Sequence, residues 1–153
     1  MLTETELLNF IPLACSWVEE QEAFILKNGT PLSDDILKDS EELGIKLLNR
    51  VRILPVETIP LPSNEILRKA ILDLGFIGKN TIGISFRYGI FVQVSHYDDK
   101  RLIIHELTHT MQYERAGGIY SFLKQYVVEC IKFGYPHGML EQEAIYMTNK
   151  IYP

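Results

Sequence analysis

The sequence predicts an α+β fold in which helices from both ends of the chain enclose a small twisted sheet. Apolar residues repeat every three or four positions in several segments, as on a helix that packs by one face. Three short runs, at 50–59, 81–86 and 90–95, are rich in the alternating or β-branched and aromatic residues typical of strands. A helical run just after the third strand carries two histidines four residues apart. We therefore expect the sheet to pack against this helix.

Length and composition indicate one domain over 1–153, with a helical part at 1–50 and the sheet and functional core at 51–153. The 153 residues are 46% hydrophobic, which is enough for a substantial core. No run of 18 or more residues lacks charged and polar groups, so a membrane-spanning protein is not expected. A formal net charge of −5 with scattered basic residues argues against a nucleic-acid partner.

Two features bear on the cellular compartment. Glu4 and Glu6 stand where a secretory signal would carry basic residues, so we expect a cytoplasmic protein, although unconventional export would leave no such mark. Cys15 and Cys130 are far apart and lie in apolar helical patterns. We expect both to be reduced core thiols, neither a zinc site nor a disulfide.

The N-terminal half predicts two helices and one strand. The first helix covers 3–28, with Thr3 and Glu6 as a capping box, and Pro12 should kink it or divide it in two. A second helix is expected from Ser33 or Asp34 to about residue 49. In the strand at 50–59, Pro55 requires an edge or a bulge.

The C-terminal half predicts a helix, a hairpin and three more helices. The first of these helices covers 63–74 and ends at Gly75. The strands 81–86 and 90–95 form a hairpin with a tight connection near Tyr88-Gly89. Asp98 or Asp99 caps the following helix, and the remaining helices are expected at 99–114, 119–133 and 139–149.

The helix at 99–114 contains the sequence His105-Glu106-Leu107-Thr108-His109, an H-E-x-x-H motif. Residues four apart lie on the same face of a helix, so both imidazoles are able to bind one cation. Two neutral imidazoles suit Zn²⁺, and catalytic zinc sites have three protein ligands and one position for water. Glu106 lies about 100° around the helix from His105, where it would act as general base without binding the metal. The alternative is a surface helix whose polar residues are merely solvated.

A third zinc ligand has to come from elsewhere in the chain. The metzincin extension of the motif is absent, because Gln112 and Arg115 stand where its glycine and histidine would be. The residues alone leave several candidates open, namely His96, His137, Glu114, Glu129, Glu141 and Glu143.

The motif together with Leu140-Glu141-Gln142-Glu143-Ala144 resembles the gluzincin branch of zinc metallopeptidases, especially small bacterial gluzincin-like domains. The resemblance covers residues 80–150. It implies a zincin-like fold, zinc as cofactor, Glu141 as third ligand and a peptide or protein substrate. Many gluzincins have an aspartate four residues after this glutamate, where it orients a ligating histidine, but this chain has Ile145. Glu143 is then the candidate for that supporting role.

Two further questions stay open at the level of the sequence. The donor for a developing oxyanion is a choice among Tyr120, Tyr126, His137 and Tyr146. The strand at 90–95 is either an edge that pairs with an extended peptide or an ordinary internal strand.

The predicted function is zinc-dependent hydrolysis of peptide bonds. The alternative is a non-catalytic or latent domain that binds a metal and a protein or peptide partner. In the latent form, the N-terminal helices at 3–50 would cover the cleft. An open metal position would favour catalysis, and a closed one a structural role.

Overall fold

The fold, known from a computed structural model, is described over residues 3–75 and 77–153, with only the backbone described at position 7. These residues form a mixed α+β arrangement, which confirms the predicted class. The helices are α1 (Glu4–Asn9), α2 (Ile11–Asn28), α3 (Asp34–Asp39), α4 (Glu65–Leu74), α5 (Lys100–Ala116), α6 (Ile119–Phe133) and α7 (Met139–Ile151). The strands are β1 (Thr30–Pro31), β2 (Arg52–Val56), β3 (Gly83–Phe86) and β4 (Gly89–Gln93).

The four strands form one sheet in the order β1-β2-β4-β3. Strands β2 and β4 are parallel, and the other two pairs are antiparallel. Of the two alternatives left open for the strand at 90–95, the structure has the ordinary internal strand, because β4 is paired with β2 and with β3. Strands β1 and β3 lie at the two edges of this sheet, and β3 runs beside α5.

Pro55 illustrates how the sheet accommodates a residue without a backbone N–H. Strand β1 pairs only with Ile53 and Arg52 of β2. Pro55 lies beyond the end of β1, where β2 has no neighbour on that side. The predicted edge position of this proline is therefore confirmed.

Strand β4 is buried on both faces, and this fixes the helices around the sheet. Phe91 belongs to an apolar cluster that includes residues of α2, α4 and α6. Ile90 and Val92 point the other way, into a second cluster with Ile104 and Leu107 of α5. Burial of each such side chain contributes roughly 1.5–3 kcal/mol. The apolar side of α5 is thus held against the sheet.

The first predicted helix is divided where Pro12 predicted a break. Thr3 and Glu6 form the expected capping box, because each accepts a hydrogen bond from the other's backbone N–H, at 2.8 and 3.1 Å. Helix α1 ends at Asn9, and Pro12 lies in the first turn of α2, where a missing N–H costs nothing.

The helix expected from Ser33 or Asp34 begins as predicted, with the Ser33 side chain accepting from the backbone N–H of Ile36, but its predicted end near residue 49 is wrong, because α3 ends at Asp39. A 3₁₀ turn at Glu41–Leu43 leads into Gly44, whose left-handed conformation, with φ 70°, breaks the predicted helix, and a second 3₁₀ turn covers Leu48–Arg50. A side chain of α5 holds the segment after this break. The carboxylate of Glu114 accepts hydrogen bonds from the backbone N–H groups of Lys46 and Leu47, at 2.8 and 3.1 Å, in place of helical partners.

The remaining helices and the hairpin follow the prediction closely. Helix α4 ends at Gly75, α6 has the predicted bounds, and α7 runs two residues further than expected. Strands β3 and β4 form the predicted hairpin. The Asp99 side chain caps α5 by accepting from the backbone N–H of Leu102 at 3.1 Å.

Cys15 and Cys130 are free and partly buried, as predicted. Among the described residues, every helix is too short or too polar to cross a bilayer.

Candidate metal centre

Helix α5 brings the two histidines of the motif together on one side. The ring centroids of His105 and His109 are 5.1 Å apart. His109 and Glu106 are each only 6% exposed, whereas 23% of the His105 side chain is exposed. A helix whose motif residues are simply solvated is therefore excluded.

Glu141 enters the same site from α7. Its Oε1 lies 3.1 Å from Nε2 of His105, and its Oε2 lies 3.0 Å from Nε2 of His109. Possible ligand atoms of the three side chains all lie within 4.8 Å of one another. In the described part of the chain, no other group of three or more His, Cys, Asp or Glu side chains comes this close.

The donor set fits zinc. Two imidazole nitrogens and one carboxylate oxygen form a His₂Glu set, which catalytic zinc sites use. Glu141 is only 5% exposed, and both its oxygens face imidazole rings. A buried carboxylate requires positive charge beside it, which a divalent cation supplies.

Two neighbouring side chains hold the candidate ligands in place. The Tyr126 hydroxyl donates to Oε2 of Glu141 at 2.6 Å. Oε1 of Gln112 accepts from Nδ1 of His109 at 2.8 Å, which directs Nε2 toward the site. Sequence reasoning missed the role of Gln112, although its position three residues after His109 places it on the same helix face.

Glu143 reaches His109 only through Gln112. Its Oε1 accepts from Nε2 of Gln112 at 2.7 Å, and both its oxygens accept from Arg115 at 2.7 and 2.8 Å. The sequence made Glu143 the candidate for orienting a ligating histidine. In the structure Gln112 contacts the His109 imidazole directly, and Glu143 holds Gln112.

Glu129 holds the start of α7, although the sequence made it a candidate ligand. Its Oε1 accepts from the backbone N–H of Leu140 at 2.8 Å. Gly138, the N-cap residue of α7, offers no side-chain cap, and a Cβ there would lie 2.8 Å from Cβ of Glu129. Gln112 in turn donates to the Leu140 carbonyl at 2.9 Å. The backbone N–H and the carbonyl of Leu140 are therefore both hydrogen-bonded, which also fixes the position of the adjacent Glu141.

Glu106 lies beside the three-residue cluster without belonging to it. Burial raises the pKa of its carboxyl, against the opposing effect of the nearby His105 and His109. The backbone N–H of Ser85, in β3, donates to this carboxylate. Strand β3 comes this close to α5 because Gly83 has no side chain. A Cβ at this position would lie only 2.9 Å from Cδ1 of Leu102. A carboxylate with a raised pKa is suited to act as a general base.

The other sequence candidates lie away from the cluster. Tyr120, Tyr146 and His137 are exposed and line neither cavity at the site. His96 contacts Gln93 and Ser95 at the end of β4, and Glu114 binds the segment around residue 46.

Two cavities meet at the cluster, and His105, Glu106 and Tyr135 line both. The larger is a groove of about 600 Å³ between residues 78–83, α5 and α7. The smaller, of about 90 Å³, extends between α2, α4 and α6. Burial, together with the charges of Glu141 and Glu106, raises the pKa of the Tyr135 hydroxyl. Sequence reasoning missed Tyr135, whose only signal was its place in the loop before α7.

Comparison with known protein families, with curated proteins and with solved structures finds no match for this chain.

We expect zinc binding at pH 7.5 to release at least one proton. Burial lowers the pKa of His109, but Glu141, Glu106 and Gln112 outweigh this and raise it to about 9. Both ring nitrogens of His109 face an acceptor, so below pH 9 the ring is protonated and a metal has to displace that proton. Zinc affinity should therefore fall as the pH decreases from 9. Calorimetric titrations in buffers of different ionisation enthalpy measure the release; binding without proton release would contradict this assignment.

We expect Glu129→Ala to lower zinc affinity about 10- to 100-fold, as the loss of groups that support a ligand does. Glu129→Gln, which keeps an acceptor oxygen for Leu140, should lose much less. Competition with a chromogenic chelator measures both.

The matched control for this variant is Asn64→Ala, which removes the side-chain cap of α4, a helix that carries no ligand. It should cost about 1 kcal/mol of stability and leave zinc affinity unchanged. An unaltered zinc affinity in Glu129→Ala would show that the cap does not position Glu141.

Proposed function

We propose that this chain is a zinc-dependent peptidase in which His105, His109 and Glu141 bind the metal and Glu106 is the general base. One observation carries the proposal: Glu106 lines both cavities beside the His-His-Glu cluster and is not itself part of it. The chain order of these residues agrees with the resemblance to gluzincins and with a zincin-like fold.

When bound, zinc supplies a Lewis acid that lowers the pKa of a water to about 7 and polarises a carbonyl group. Glu106 then takes a proton from the attacking water and passes it to the leaving amine. Burial raises the pKa of the Glu106 carboxyl, which makes its carboxylate a stronger proton acceptor. The Ser85 backbone N–H holds the carboxylate in one orientation during both transfers.

Tyr135 is the hydroxyl donor that the site offers to a developing oxyanion. It lines both cavities and lies close enough to Glu141 and Glu106 for their charges to raise its pKa. A neutral phenol at this position donates a hydrogen bond to a carbonyl oxygen as negative charge develops on it.

The larger cavity suits a peptide chain. It runs along Gly83 at the start of the outer strand β3 and along Ile145 and Thr148 of α7. An extended peptide in this cavity is able to pair with the backbone of β3 at Gly83, ahead of Ser85, whose N–H already binds Glu106. This arrangement supports a peptide or protein as the substrate class.

The alternative of a closed or latent metal site has less support. His105 is partly exposed and borders both cavities, as an open metal position requires. The N-terminal helices contribute Ile11, Val18 and Ile25 to the core. In the described part of the chain, no residue of 3–50 lines the larger groove.

Glu106→Gln tests the proposal. This variant should keep zinc and lose hydrolysis about 10²- to 10⁴-fold, because a general base contributes a factor of that size. Zinc-loaded protein is incubated with a diverse peptide mixture, and mass spectrometry detects new termini. Glu20→Gln, an exposed change on α2, is the control and should cleave normally. Undiminished cleavage by Glu106→Gln would remove Glu106 as the base, and no cleavage by the zinc-loaded parent chain would favour the non-catalytic alternative.

We expect Tyr135→Phe to lower kcat about 10²-fold with little change in KM or zinc affinity, because the hydroxyl acts mainly in the transition state. Tyr146→Phe removes the same atom from an exposed residue of α7 that lines neither cavity, and should have no effect. Equal activities of the two variants would exclude Tyr135 as the donor.

A further inference from the structure

The smaller cavity extends from the candidate metal centre into the apolar interior. Its volume is about 90 Å³. Helices α2, α4 and α6 each contribute apolar walls to it, among them Ala14, Trp17, Leu67, Ile71, Leu123 and Val127.

The imidazoles and carboxylates that line this cavity all belong to the candidate metal centre, namely His105, Glu106, His109 and Glu141. The lining residues of α2, α4 and α6 are apolar, apart from the indole N–H of Trp17 and the Tyr126 hydroxyl, which donates to Glu141. A charged or amide side chain placed between Leu67 and the facing helices would lose its water and find no partner. Such burial is strongly unfavourable.

We infer that this cavity binds an aliphatic side chain of about leucine size on a residue that flanks the scissile bond. The inference rests on the proposed function and names the substrate class of that same site. Each methylene moved from water into an apolar site improves binding about fourfold. A dry cavity of about 150 Å³ accepts a benzene ring, so a smaller one favours a branched chain of about four carbons over an aromatic ring.

Helix α2 gives the N-terminal part of the chain a role in this selection. Ala14 and Trp17 form one wall, opposite residues of α4 and α6. Trp17 is held in place by an edge-to-face contact with Phe86 of β3, at 5.1 Å between ring centroids. This wall of the cavity is therefore fixed against β3, the strand whose Ser85 N–H binds Glu106.

Binding of zinc-directed probes tests the cavity without requiring hydrolysis. Two probes are compared on the zinc-loaded full chain, acetohydroxamate and 4-methylpentanohydroxamate, which adds an isobutyl extension. The longer probe should bind at least tenfold more tightly. Ala14→Leu fills the cavity and should remove this gain while leaving acetohydroxamate binding and zinc affinity unchanged. Ala23→Leu, the same change on the exposed side of α2, should keep the gain.

Leu67→Ala supplies a second variant if Ala14→Leu does not fold. It enlarges the cavity, so 3-phenylpropanohydroxamate should gain affinity relative to 4-methylpentanohydroxamate by at least threefold. Equal binding of the short and long probes to the parent chain, or no change in ranking in either folded variant, would overturn the inference.

Cleavage of a peptide library by the parent chain separates this inference from the proposed function. Leucine, isoleucine or methionine beside the cleaved bond is expected. Cleavage with no preference, or with a preference for charged, amide or aromatic side chains, would overturn the inference and leave the peptidase proposal standing. A long-probe advantage without cleavage of any peptide would support the cavity and overturn the peptidase proposal. Failure to bind zinc would overturn both.

Discussion

Glu141 of α7 lies between His105 and His109 of α5, and the rest of the candidate site depends on this three-way contact. Despite burial, the imidazoles and Tyr126 hold the pKa of the Glu141 carboxyl well below its usual range, and Glu141 in turn raises that of His109. A buried acid in this position is stable only while positive charge faces it. Protons on the rings supply that charge, and a divalent cation would replace them.

The contact requires α5 and α7 to keep a fixed register, and side chains from two helices enforce it. Gln112 joins His109 to the Leu140 carbonyl, and Glu129 binds the Leu140 N–H from the opposite side. The buried strand β4 holds α5 against the sheet. A constellation built on packed helices and supported in this way is held more precisely than one built on loops.

Local signals predicted much of the fold and part of the site. The motif helix and its Asp99 cap depend only on residues close together in the sequence, so the apolar periodicity and the capping residue were sufficient to predict them. The helix expected at 33–49 stops at Asp39, because the chain breaks at the left-handed Gly44 and a distant carboxylate, Glu114, binds the backbone N–H groups of Lys46 and Leu47 beyond it. Strand order has no local signal, and so the internal position of β4 was not predictable. Glu141 was named only through resemblance, and Tyr135 not at all, because both reach the site through tertiary packing.

Anomalous diffraction at the zinc edge, from crystals of the zinc-loaded chain, locates the metal. We expect one strong peak bonded to Nε2 of His105, Nε2 of His109 and an oxygen of Glu141, with a further position open toward the cavities. Zinc bound elsewhere, or a fourth protein side chain closing the coordination sphere, would contradict this expectation.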